Sequence, residues 1–134
     1  MKAKIPMIVR VLFGLIFFAS GVAGLLQQMQ LIPPPPMDGM SQAMLTYFSG
    51  LMASVYFMPF LKIVETIFGL LIIMGWFVPL SLVVLAPVVL NIFLVHAFLA
   101  PSGLPVAVIL GLMMIYLSFF SPYSPKIKAL FTKK

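Results

Sequence analysis

No cysteine occurs in this chain, so a disulfide relay, a thiolate metal site and a cysteine nucleophile are all excluded within it. Histidine is almost as scarce. His96 is the only one, and a lone imidazole without thiolates builds neither a zinc site nor a bis-histidine haem site unaided. Charge is the third shortage: Asp, Glu, Lys and Arg make up 7% of the residues, against about a quarter in soluble domains. Asp38 and Glu65 are the only acids.

What is present is apolar. Hydrophobic residues make up 63% of the 134-residue sequence, with a mean hydropathy of +1.24, and water is not the solvent for most of such a surface. The net charge of +6 does not form a nucleic-acid footprint. Its carriers gather at the two ends, Lys2, Lys4 and Arg10 at one and Lys126, Lys128, Lys133 and Lys134 at the other. Lys and Arg are absent from Val11 to Leu61. This is the pattern of a multi-pass membrane protein with both termini in the cytoplasm.

A helix crosses the hydrocarbon core with about 20 apolar residues, and four stretches qualify, at residues 5–26, 59–77, 80–99 and 104–120. Lys2 and Lys4 ahead of an apolar run that ends in Ser20, Gly21, Ala23 and Gly24 also fit a signal peptide. The run exceeds the usual h-region of about 7 to 15 residues, which favours a retained span. Pro33 to Pro36 form a loop, because consecutive prolines lack backbone donors and disfavour helix before them. Over residues 38–56 the apolar Met44, Leu45, Phe48, Leu51, Met52 and Val55 recur at helical spacing opposite Gln42, Thr46 and Ser49. That pattern predicts an amphipathic helix, with Asp38 as its N-cap, lying in the interface or capping the spans. The short connections at Pro79 and Pro101-Ser102-Gly103 make neighbouring spans antiparallel. The expected architecture is an all-α, four-helix membrane bundle forming a single domain over 1–134, with a basic cytoplasmic tail at 122–134.

Small residues let helices approach closely in lipid. Gly103, Ala107 and Gly111 in the fourth span, and Gly14, Ser20, Gly21 and Gly24 in the first, therefore mark contacts, with packing inside the chain favoured over a dimer interface.

An ionisable group in the hydrocarbon region is unfavourable by at least about 2.5–3.5 kcal/mol on insertion scales, which singles out Glu65. Lys62 lies one turn away on the same helical face. Two roles stay open for Glu65: a structural pair with Lys62 or a neighbouring helix, and a part in ligand or proton handling. Counting about 1.5 Å per residue from the external surface puts His96 at a depth similar to Glu65, and a polar cluster near the outer mouth follows. Asn91 is deeper and about 140° round the helix from His96, an angle that a kink at Pro87 would change. Arg10, about a turn and a half into the first span, serves as a topology anchor that reaches the headgroups.

The run Pro59-Phe60-Leu61-Lys62-Ile63-Val64-Glu65, followed by Gly69-Leu70-Leu71, Phe77-Val78-Pro79-Leu80, Leu85-Ala86-Pro87, Asn91-Ile92 and His96, resembles the DoxX family of small bacterial membrane proteins. The resemblance spans nearly the whole chain and implies a four-helix membrane bundle. It also implies an association with thiosulfate and quinone oxidation, although most members have no established activity. Lys62, Glu65, Pro87, Asn91 and His96 match positions where similar sequences carry the same residue types. The proline tract and the methionine-rich segment look like local elaborations.

Three functional readings follow. One is an accessory subunit of a membrane redox system that binds a quinone or another lipophile, with His96 and Asn91 on its carbonyls, Glu65 exchanging protons and a partner supplying electrons. No cofactor is built into the chain under that reading. Another is a non-catalytic structural or assembly component, docking a partner or a second copy through its small-residue faces. The weakest is a subunit of an oligomeric transporter.

Overall fold

The computed structural model describes residues 4–34 and 38–132. Lys2, Pro35, Pro36, Lys133 and Lys134, on which parts of the loop and basic-flank expectations fall, lie outside the described residues. Among the described residues the regular structure is all helical, with no strand, and four helical stretches are long and apolar enough to cross a membrane.

The first, α1 (Lys4–Gln28), has Pro6 in its opening turn, where the missing N–H would be unpaired in any case. It ends beyond its glutamine pair, where Gln30 takes a left-handed φ of 61°. Helix α3 (Phe57–Met74) stops at Gly75, whose φ of 79° closes the last turn. The Trp76 N–H donates to the Leu71 carbonyl at 2.9 Å, the six-to-one bond of a Schellman ending. Helix α4 (Val78–Phe98) begins at once, with Pro79 in its first turn, and runs on through Pro87 as one element. A 3-10 turn, Pro101–Gly103, leads into α5 (Leu104–Ile115), which relaxes into a π-helical turn over Tyr116–Phe120.

The four apolar stretches match the expected spans to within about three residues, the scatter normal for helix ends. Helix α2 departs further. It covers Gln42–Ala53, and its N-cap is Ser41, whose Oγ accepts from the Met44 N–H at 3.2 Å. Asp38 is not the cap, because Gly39 intervenes with a φ of 84° and turns the chain away from a helical path. Val55 lies beyond α2, left-handed and exposed. Met44 is the only residue of α2 that is fully buried.

Helix α1 packs most closely on α3, α3 continues onto α4, and α4 onto α5. The α1/α3 contact is backbone to backbone: a Cβ on Gly69 would stand 2.6 Å from the Phe18 nitrogen, and one on Gly14 would stand 2.8 Å from the Gly69 carbonyl oxygen. Phe13 and Phe17 from α1, Ile72 from α3, Leu82, Leu85 and Val89 from α4, and Leu110 and Met114 from α5 fill the core. Outward-facing positions are equally apolar, among them Leu12, Ile16, Ile67, Leu90 and Leu112. Such a surface needs a hydrocarbon solvent to complete its burial. In the fourth span Ala107 is buried, while Gly111 meets nothing within 4 Å.

The described part of the basic tail is folded rather than extended. Helix α6 (Ser124–Lys128) and a further turn, Ala129–Phe131, tuck back beneath the helices. Ile127 joins the core at 4% exposure, and the Phe119 and Phe131 rings meet at 5.8 Å. The apolar residues alternating with the tail's lysines are what hold it down.

Candidate functional site: a buried ion pair between two helices

Glu65 sits in the middle of α3 at 3% exposure. Two donor groups reach it. Lys62, one turn earlier on the same helix, brings Nζ to 3.1 Å from Oε2, and Ser20 of α1 donates its hydroxyl to the same oxygen at 3.4 Å. Lys62 also donates to the Ser20 oxygen at 3.2 Å. The three side chains thus close a ring in which the ammonium gives two hydrogen bonds, the hydroxyl accepts one and gives one, and the carboxylate accepts two.

Gly24, one turn beyond Ser20, explains how the ring fits. Any Cβ there would collide with the Cγ, Cδ and Cε methylenes of Lys62. The lysine stem therefore lies across a glycine on α1 and turns its ammonium inward, instead of extending toward the headgroups as its length allows. Thr66 donates to the Lys62 carbonyl at 2.7 Å, occupying a polar group that would otherwise face the contact.

The other residues singled out by sequence are held elsewhere. His96 lies in the last turn of α4, half-buried, with Nδ1 2.8 Å from the Ile92 carbonyl. A carbonyl only accepts, so Nδ1 carries a proton, and the other edge of the ring rests on Gly103. Asn91 is exposed on α4 and donates from Nδ2 to the Tyr47 hydroxyl of α2 at 2.9 Å. Neither bonds to Glu65. The expected polar cluster is thus resolved into three separate contacts: α1 with α3 at Glu65, α2 with α4 at Asn91, and α4 with the following turn at His96.

Arg10 has partners within the protein. Nη1 donates to the Tyr123 hydroxyl at 2.8 Å, and Nη2 reaches the Ile73 carbonyl at 3.4 Å. It thus supplies positive charge and a donor at the carboxyl end of α3, where carbonyls lack helical partners, and it ties the folded tail to α1. Sequence reasoning missed Tyr123. It also took Ser20 only as a small packing residue, although its four-residue spacing from Gly24 was the available signal.

Among the described residues, no group of three His, Cys, Asp or Glu side chains is placed to hold a metal ion. A cavity of about 370 Å³ near Arg10 is lined by Gly75, Val78, Pro79, Tyr123 and Lys126 among others. Another, of about 290 Å³ at the opposite end, is lined by Gln27, Met40, Phe48, Met52 and Met58 among others. Glu65, Asn91 and His96 line neither.

No curated protein and no solved structure matches this chain. The family model of DoxX matches residues 5–97, a stretch that holds α1 through nearly all of α4, the Ser20, Lys62 and Glu65 ring, Asn91 and His96. The chain is therefore a multi-pass membrane protein that belongs to the DoxX family.

Proposed function

We propose that this chain is a non-catalytic accessory subunit of a bacterial inner-membrane complex, a four-helix bundle whose internal polar residues serve helix assembly. The observation that carries this reading is the closed ring of Ser20, Lys62 and Glu65. Each group in it is engaged by another, so the buried carboxylate acts as a register pin between α1 and α3. Burying an ion pair adds little net stability but strongly disfavours arrangements that break it, which suits a part that must present one fixed outer surface to a partner. Both termini lie in the cytoplasm, on the strength of the basic ends and the long interval without Lys or Arg. Helix α2 then caps the external side. Lipid is the constant partner, and a membrane redox enzyme is the protein partner suggested by the family's association.

The test is co-purification from native membranes. A tagged chain should bring down a defined membrane partner, and Glu65→Ala should lose it while Asn91→Ala retains it. Partner capture indifferent to Glu65 would overturn the assembly role. An impermeant thiol reagent should label Lys128→Cys only after permeabilisation; labelling in intact cells would reverse the orientation.

A second reading, binding of a quinone or similar lipophile, draws support from Asn91. An exposed amide within a span offers a hydrogen bond toward the lipid phase, and Tyr47 stands beside it. Quinone retained by the wild type and lost in Asn91→Leu would favour this reading over a pure assembly role.

A further inference from the structure

The chain carries eight lysines and arginines against two acids, and neither acid serves the cations at the end where α6 folds. Glu65 is taken by Lys62, and Asp38 follows the far end of α1. Arg10, half-buried beside the turn from α3 to α4, therefore has only neutral acceptors, the Tyr123 hydroxyl and the Ile73 carbonyl. Its Nε is buried with no hydrogen-bond partner. A guanidinium taken partly out of water without a carboxylate is unfavourable unless another anion neutralises it. Its head lies against Gly75, with Nη1 2.8 Å from where a Cβ would stand, and Gly75 and Tyr123 are both walls of the cavity of about 370 Å³.

That cavity gathers further positive charge. Lys126 lines it, exposed and without an ion pair to any described residue. The amino end of α4 borders it through Phe77, Val78 and Pro79. No side chain caps that end, and the Val78 and Leu80 N–H groups precede the first helical acceptor. As the start of a 21-residue helix, it adds partial positive charge. The carboxyl end of α3 meets the same turn, but Arg10 already occupies its Ile73 carbonyl. An ammonium and backbone donors, with a guanidinium behind them, suit a phosphate, whose several oxygens accept from each. The surroundings choose its source. Trp76 and Phe77 are exposed beside the cavity, as aromatic residues are at a membrane interface. Met74 and Leu80, also exposed, continue the apolar surface along the spans, where acyl chains lie. We propose that this cavity holds the phosphate of an anionic membrane lipid, with Lys126 and the amino end of α4 as its donors and Arg10 as the charge behind it. The inference rests on the four spans crossing the membrane and not on the assembly role proposed above.

The test uses Trp76, the only tryptophan, which stands between Gly75 and Phe77 of the cavity wall. The full chain is placed in phosphatidylcholine vesicles with rising fractions of brominated phosphatidylglycerol, and conversely in phosphatidylglycerol with brominated phosphatidylcholine. Quenching of Trp76 then gives the relative affinity of the two lipids. The wild type should favour phosphatidylglycerol by about fivefold or more, the contribution of one cation near the surface. Lys126→Gln, at an exposed position, should remove most of that preference. Lys128→Gln removes the same charge outside the cavity and should keep it. No preference in the wild type, or equal losses in the two variants, would overturn the site in favour of diffuse attraction to the basic end. Inorganic phosphate at matched ionic strength should leave the quenching unchanged; if it displaces the brominated lipid, the ligand is a soluble phosphate and the lipid assignment fails.

Discussion

Lys62 and Glu65 stand one turn apart on α3 with Nζ 3.1 Å from Oε2, yet the pair is completed by a different helix, through the Ser20 hydroxyl on α1. A same-helix ion pair exposed to water contributes about 0.3–0.5 kcal/mol. Buried and shared between helices, it becomes a condition on how α1 and α3 meet.

Removing one member should therefore be worse than removing both. Glu65→Leu alone leaves the Lys62 ammonium against an apolar helix, and breaking a buried pair in this way costs about 3–5 kcal/mol. The double variant Lys62→Met, Glu65→Leu replaces the pair with apolar groups and should recover most of that loss. Thermal unfolding in detergent across the four members of the cycle measures the coupling, and strict additivity would sink it.

Gly24→Leu should separate α1 from α3, because its side chain claims the volume occupied by the Lys62 stem. Overpacking of this kind costs about 1–3 kcal/mol. The same substitution at Gly111, which meets nothing within 4 Å, should leave the melting temperature almost unchanged. Comparable losses at the two sites would contradict the packing described.

The Arg10 to Tyr123 bond should hold down the carboxy-terminal segment. A hydrogen bond to a charged group contributes about 1.5–3 kcal/mol, so Tyr123→Phe and Arg10→Met should each loosen α6. Limited trypsinolysis at Lys126 and Lys128 reports this directly. Cleavage should be faster in both variants and no faster in the double variant than in either single one.

Helix α2 buries only Met44 fully and is fastened to α4 by two polar contacts, Tyr47 to Asn91 and the Ser41 hydroxyl to the Leu99 carbonyl at 3.2 Å. Tyr47→Phe should release it. Spin labels introduced by Ala43→Cys and Phe98→Cys, both at exposed positions, need no background removal, since the chain has no cysteine of its own. Their distance distribution should broaden when the Tyr47 hydroxyl is lost, and an unchanged distribution would show that the Asn91 bond does not hold the helix.

The four spans and the helix between the first two could be read from the one-dimensional pattern, because the demand that every backbone group be satisfied inside lipid acts on each segment by itself. Length, hydropathy and proline positions express that demand locally. Partners are another matter. Glu65 was recognisable as a residue needing company, and Lys62 lay within one helical turn. Ser20 and Gly24 are more than thirty positions away, however, and meet the pair only because α1 packs on α3. The same limit applies to His96 and Asn91, placed by depth near Glu65 but turned by helix rotation toward Gly103 and Tyr47. It applies equally to the tail, whose run of lysines gives no sign that Ile127 enters the core. Hydropathy sets how deep a residue sits. Which neighbour it faces depends on the rotation of whole helices about one another, and that is settled by side-chain packing between segments far apart in the chain.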